Sequence, residues 1–268
     1  MTYTARIVSE ITSTCSPRSK TAPPAQRDAS PTEIADNRAA TKSATISIII
    51  PTLNEQANIT RTLQPLDKTR QIETIVVDGG SDDRTATVAR DLGAAVIESK
   101  PGRAKQMNTG ARLATGDILL FLHADTILPH EFDHHVRDTL NQPDVIAGAF
   151  RLGLDVHSRS LGLLKRLVNW RSRRFQLPYG DQALFMSAET FFKAGAYPDV
   201  PIMEDFMLVR RLRRLGRIAL TDAEAITSAR RWQQHGVLRV TLIHQLIIAG
   251  HFMGLSPNRL ARWRHRLT

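Results

Sequence analysis

Between Thr45 and Leu122 the chain repeats one arrangement: a short apolar run, turn residues, a helix-length segment, then another apolar run. The runs are Thr45-Ile46-Ser47-Ile48-Ile49-Ile50, Glu73-Thr74-Ile75-Val76-Val77-Asp78, Ala94-Ala95-Val96-Ile97 and Ile118-Leu119-Leu120-Phe121-Leu122. Continuous apolar runs of this length read as strands buried on both faces, the kind that parallel sheets require. The segments between them, at 56–66, 84–92 and 103–115, read as helices, with Gly93 and Gly116 as stop signals. A β-α-β-α-β-α-β order with short connections calls for a parallel sheet with right-handed crossovers, so the fold class is α/β. Asn54 or Thr52 is expected to cap the first helix, with Glu55 in its positive first turn.

Beyond Pro129 the pattern loosens. It predicts helices at 130–140, 158–174, 188–194 and 203–215, strands at 144–152, 183–186 and 218–220, and a loop at 178–182. A mostly apolar helix is expected over 237–253, followed by a basic tail. Residues 1–44 are rich in Ser, Thr, Ala and Pro and carry no periodicity, so a disordered tail is expected there. The organisation predicted is a tail at 1–44, a domain at 45–225 and a helical carboxyl-terminal extension at 226–268.

With 268 residues, 42% of them hydrophobic, the chain can bury a full core. Its single cysteine excludes an internal disulfide framework and a cysteine-built zinc site. Residues 1–25 hold no apolar core of a secretory signal, and no run approaches a spanning helix, so a cytoplasmic location is expected. The formal charge is +10, and the stretch from Arg210 onward holds twelve arginines against Asp222 and Glu224. That basic end suits a phosphorylated substrate or an anionic membrane surface. Nucleic acid is not expected, because no binding motif or aromatic stripe accompanies the charge.

Acidic groups stand at the carboxyl ends of successive strands: Glu55 after the first, Asp78 at the second and Asp125 after the fourth. Ligands of open α/β sheets sit outside those ends. His123 and Asp125, one residue apart, are expected on the same side of the strand. Gly79 and Ser81 make a loop that approaches a ligand closely. Carboxylates beside a nucleotide diphosphate repel it unless Mg²⁺ or Mn²⁺ intervenes, so a nucleotide with a metal at Asp125 is expected. A dinucleotide-binding turn is excluded, because Pro51-Thr52-Leu53-Asn54-Glu55 stands where Gly-x-Gly-x-x-Gly is required, and no P-loop is present.

Four blocks carry a resemblance. Ile48 to Glu55, Val76 to Thr85, Gly102 to Ala111 and Leu120 to Asp125 resemble, in order and spacing, the opening blocks of family 2 glycosyltransferases with the GT-A fold. That fold is a single Rossmann-like, mostly parallel sheet flanked by helices. The third block is similar to that of a short bacterial branch, the radical-SAM/selenodomain-associated or arsenosugar-biosynthesis-type transferases. The resemblance implies metal-dependent, inverting transfer of a glycosyl group from a nucleotide-diphosphate sugar to an unidentified acceptor. It implies that Thr52, Glu55 and Asp78 hold base and ribose, within a nucleotide-sugar-binding set that includes Pro51, Gly79, Ser81, Arg103, Lys105, His123 and Asp125. Asp125 would be the metal aspartate of the motif usually written Asp-x-Asp. His123 stands where many members carry the first aspartate; a neutral imidazole brings no charge and favours Mn²⁺. Gly180, Asp181 and Gln182 look like the acceptor-side loop. Glu204-Asp205 resembles the family's Glu-Asp pair, with Asp205 as general base and Glu204 second. Two alternatives stand beside this: a nucleotidyltransferase-like protein, and a catalytically inactive nucleotide-binding protein of the same fold. The apolar helix and the basic residues after it also fit a peripheral site on the inner face of a membrane.

Overall fold

The computed structural model describes residues 43–66, 71–156 and 158–267. The tail expected over 1–44 falls almost wholly outside them. An eight-stranded sheet runs in the order β3-β2-β1-β4-β7-β6-β8-β5. Its strands are β1 (Ile46–Thr52), β2 (Ile72–Asp78), β3 (Ala95–Glu98), β4 (Ile118–Phe121), β5 (Thr126–Ile127), β6 (Val145–Leu154), β7 (Leu184–Ser187) and β8 (Arg217–Thr227). The first four pair in parallel, as their apolar runs require. β7 then runs antiparallel to both β4 and β6, β6 and β8 are parallel, and the two-residue β5 closes the edge antiparallel to β8.

Alternation along β1 divides the core. Ile46, Ile48 and Ile50 join Val76, Leu120 and Leu122 on one face, where α1 (Gln56–Leu63), α2 (Thr85–Asp91) and α4 (Phe132–Leu140) supply Ile59, Ala89 and Val136. Ile49 joins Ile75, Val77, Leu119 and Phe121 on the other. There α3 (Arg103–Leu113), α6 (Ala188–Lys193) and α7 (Glu204–Leu212) supply Met107, Phe191 and Leu208. A period of two gives each face its own side chains, and every one of these is withdrawn from water. A Cβ on Gly110 would lie 2.5 Å from Ile49 Cγ2, so glycine lets α3 lie close on the sheet.

Several expectations need correction. Neither Asn54 nor Thr52 caps α1. Asn54 is left-handed at φ 55° and its Oδ1 accepts from Asp82 N–H at 2.9 Å, while Glu55 is the N-cap without a side-chain cap bond. These partners lie in the following loop, and the pull of β2's end overrides local capping. The predicted 218–220 strand is the beginning of the eleven-residue β8, whose continuation is disguised by alternating Asp222 and Glu224. The helix predicted at 158–174 is α5 (Arg159–Phe175). The carboxyl-terminal extension is helical, as expected: α8 (Arg230–His235) and α10 (Pro257–Leu267) flank α9 (Val237–Phe252). α9 buries Val240, Ile243, Ile247 and Gly250, and its Ile243 and Ile247 pack with Ile202 and Leu260. Its other side leaves Leu238, Leu242 and Leu246 exposed. No helix among the described residues is long and apolar enough to cross a membrane.

Candidate active site

A cavity of about 790 Å³ opens where β1 and β4 end. β4 stops at Phe121, so His123 and Asp125 do not share a strand face as expected. They lie in a turn closed by Thr126 N–H donating to the His123 carbonyl at 3.1 Å. Two long-range pairings bring the rest of the chain to this turn. Antiparallel register sets Phe121 opposite Leu184, which carries the 3₁₀ turn Gly180–Gln182 alongside His123. Thr126 pairs with Thr227, and Ser228 N–H donates to the Asp125 carbonyl at 3.1 Å, so the start of α8 follows directly beside Asp125.

A Cβ on Gly180 would fall 2.8 Å from His123 Nε2 and 3.4 Å from Asp205 Oδ2, so only glycine admits this closeness. The Gly180 N–H donates to Asp205 Oδ2 at 2.9 Å, and the Phe206 N–H to Oδ1 at 2.7 Å. Asp205 is thereby fixed by two backbone groups, with further lone pairs left to accept. Glu204, at the first position of α7, is buried and paired with Arg103 at 3.1 Å. Burial and the neighbouring Asp205 raise its pKa, and Arg103 opposes them. For Arg103 itself burial works against the charge, but Glu204, Asp205 and Asp125 outweigh it and the pKa rises.

His123 is held neutral, at about 3, by burial and by the fields of Arg103 and Arg231. Asp181 goes the other way, to about 6, through burial and the charges of Asp205 and Asp125, against Arg171. Its Oδ1 is buried and finds no partner among the described residues. Asp125 lines the cavity, and its carboxylate makes no hydrogen bond or ion pair among the described residues. Together Asp125 and His123 offer a carboxylate oxygen and an imidazole nitrogen, a donor set that suits Mn²⁺. No group of three or more His, Cys, Asp or Glu converges for a metal among the described residues, so this pair would need oxygens from a ligand to complete a shell.

The profile described as Glycosyl transferase family 2 matches residues 47–197. The chain belongs to that family.

A 4,4'-diaponeurosporenoate glycosyltransferase of Staphylococcus haemolyticus is 36% identical over 95 residues, 32% of this chain and 25% of that one. An uncharacterised glycosyltransferase of Mycobacterium tuberculosis is 35% identical over 179 residues, 59% of this chain and 64% of its own length. The chain therefore spans less than two thirds of these relatives. Among solved structures, a mannosyltransferase of Pyrobaculum calidifontis in complex with GDP-Man and Mn²⁺ superposes with a TM-score of 0.58 at 19% identity, over 80% of this chain and 69% of that one. The likeness gives the glycosyltransferase its GT-A fold.

Of the residues singled out in the sequence, Pro51, Thr52, Glu55, Arg103, His123, Asp125, Asp181, Glu204 and Asp205 line the cavity. Asp78 stands behind it, buried, with its carboxylate taken up by the Thr52 hydroxyl at 3.2 Å, Gly80 N–H at 3.1 Å and Ser81 N–H at 2.8 Å. It shapes the Gly79–Ser81 loop from below. Lys105 lies outside, 3.7 Å from Asp199. Gln182 is fully buried and bridges Ser172 at 2.7 Å to the Phe150 carbonyl at 3.0 Å, which ties the 3₁₀ turn to α5 and β6. The fold adds residues that the sequence did not single out: Tyr179, Arg231, Trp232, His244 and Arg264. Tyr179 packs under the Arg171 guanidinium at 3.7 Å, an arrangement no local pattern announces.

Proposed function

We propose that this glycosyltransferase moves a glycosyl group from a nucleotide-diphosphate sugar to an acceptor hydroxyl with inversion at the anomeric carbon. One observation carries the reading. A carboxylate without a partner, Asp125, and a carboxylate fixed by two backbone N–H groups, Asp205, line one cavity at the carboxyl ends of the parallel strands. The pair gives the cavity two roles, one toward the diphosphate and one toward the acceptor.

Thr52 and Glu55 sit at the nucleoside end, with Arg103 between that end and Glu204. A divalent cation, held by Asp125 and His123 together with diphosphate oxygens, would neutralise charge building on the leaving group. Arg103 supplies a fixed positive charge from the protein itself. Asp205 accepts the proton of the acceptor hydroxyl as its oxygen bonds to the anomeric carbon. The bond from that carbon to the diphosphate oxygen breaks, and the diphosphate leaves with the electron pair. Asp205 suits this role better than Glu204, because Glu204 is already engaged by Arg103. The branch suggested by Gly102 to Ala111 leaves sugar and acceptor open.

The test is calorimetry of the full chain with UDP and GDP, with and without Mn²⁺. At least one diphosphate binds only with metal, and Asp125→Asn loses that binding while its circular dichroism is unchanged. Metal-dependent affinity that survives in Asp125→Asn would place the metal elsewhere.

A second observation favours work at a membrane surface. α9 exposes Leu238, Leu242, Leu246 and Phe252, and α5 exposes Leu163, Leu167 and Trp170. The two helices touch, and a wide apolar face rimmed by arginines suits an anionic bilayer. Leu242→Glu is expected to abolish sedimentation with anionic vesicles and leave nucleotide affinity intact. Equal sedimentation of both proteins counts against the reading.

A further inference from the structure

The stretch that carries Asp205 is apolar apart from its acids. Pro201, Ile202, Met203, Glu204, Asp205 and Phe206 all line the cavity, and only Glu204 and Asp205 among them are polar. Glu204 is engaged by Arg103 at 3.1 Å, which leaves Asp205 to meet a ligand. α8 and α9 add Trp232 and Ile248 to the lining, both half-buried. A group that gives its proton to Asp205 therefore brings its neighbouring atoms against Met203 and Phe206, which flank the acid pair. A polyhydroxylated body would leave hydroxyls without partners on such a lining, whereas an apolar body gains by leaving water. Arg231 and Arg264 also line the cavity, but their charge answers the donor's diphosphate as readily as any acceptor group. The apolar stretch, tied to Asp205 by the chain itself, is what bears on the acceptor.

This apolar lining continues to the outside of the molecule. The Phe206 ring meets Phe252 edge-on with centroids 6.0 Å apart, and Phe252 is 63% exposed. Met253, 72% exposed, follows it at the end of α9, whose outward Leu238, Leu242 and Leu246 extend the same apolar surface. The Arg210 guanidinium lies 5.8 Å from the Phe206 ring and 5.2 Å from that of Phe252, a cation at the edge of this surface. We propose that the acceptor is an amphiphile: a hydroxyl group on a lipid-like apolar chain, with the hydroxyl at Asp205 and the chain along Met203, Phe206 and Ile248 toward the exposed face of α9. The proposal rests on Asp205 as the base of the transfer reading. It adds to the membrane-surface reading the chemistry of the molecule collected there.

The experiment measures, by calorimetry on the full chain, binding of the straight-chain primary alcohols hexanol, octanol and decanol, each below its solubility limit, and of glucose. Metal-dependent binding of UDP and GDP is measured beside it. Affinity should rise about fourfold for each added methylene, the gain of withdrawing one CH₂ from water, and glucose should not bind. Ile248→Asn flattens that rise, whereas Leu242→Glu on the outer face keeps it. Asp205→Asn weakens every alcohol about tenfold and leaves the rise unchanged, since it removes the charge that accepts from the hydroxyl and spares the apolar lining. If Ile248→Asn is unfolded by circular dichroism, Met203→Gln carries the same measurement. An affinity that does not grow with chain length, grows equally in Ile248→Asn, or stops growing in Leu242→Glu overturns the proposal. So does an unchanged series in Asp205→Asn, which would put the chain away from the base. Where UDP or GDP binds with Mn²⁺ and the alcohol results fail, the acceptor class is wrong and the transfer reading stands. Where the alcohols behave as stated and neither diphosphate binds, the donor reading fails and the apolar subsite remains.

Discussion

The two sides of the cavity are built by different means. On the side proposed for the donor, Thr52, Glu55, His123 and Asp125 lie at or just beyond the ends of β1 and β4, which pair in parallel. The side proposed for the acceptor is assembled from distant pieces: the Gly180–Gln182 turn, the first turn of α7, and the helices α8 to α10. The donor side rests on the large shared core of the sheet, whereas the roof is held by a small cluster around Ile202, Ile243, Ile247 and Leu260. Under the proposed reading, the half built on the sheet core would hold the leaving group and the half carried by the small cluster would meet the acceptor.

The largest effect that would break this division is catalytic. Asp205→Asn is expected to lower turnover by about two to four orders of magnitude, the range of a general base, with donor affinity nearly unchanged. Turnover within a few-fold of the unaltered chain would move the base off the acceptor side, and Asp181 would be the next residue to replace.

Next come two core truncations that sharpen the contrast. Phe191 is fully buried against Phe121 and Tyr197, with ring centroids at 4.9 Å from Phe121 and 5.6 Å from Tyr197. Phe191→Ala should cost about 3–5 kcal/mol of global stability in denaturant unfolding. Leu260→Ala leaves a cavity in the roof cluster worth about 2 kcal/mol, the low end for such a change. It should speed hydrogen exchange in α8 to α10 while β1 and β4 keep their protection. Exchange rising equally in the strands would mean that roof and sheet unfold as one unit.

How much of this was legible follows the same line. β1 to β4 announced themselves because each is short and apolar and a helix separates each from the next, and Glu55 and Asp125 could be placed past their ends. β8 was hidden by its polar alternation, since one of its sides carries Asp222 and Glu224. Arg231 and Arg264 counted only toward the charge of the basic end, because nothing in their neighbourhood says that Thr227 will pair with Thr126 and bring the extension to the cavity. The apolar width of α9 was visible; which side packs was not, and the structure puts Ile243 and Ile247 inward.

A smaller effect concerns Asp181, whose pKa is raised from 3.8 to about 6 by burial and by Asp205 and Asp125, against Arg171. Between those values the folded chain keeps a proton that the unfolded chain has released. Stability therefore falls as pH rises through that window and levels off above it. Asp181→Asn lacks this term, so its melting temperature should gain on that of the unaltered chain between about pH 4 and pH 6. Curves that run parallel across the window would show Asp181 titrating as an exposed carboxylate does.

The most direct test of the division is a hydrolysis screen across nucleotide sugars, run without acceptor, on the full chain, Asp125→Asn and Leu260→Ala. Slow, Mn²⁺-dependent release of one nucleoside diphosphate is predicted for the full chain and for Leu260→Ala alike, and none for Asp125→Asn. Release that persists in Asp125→Asn but disappears in Leu260→Ala would contradict the account, because it would put the donor under the helical roof instead of at the ends of the parallel strands.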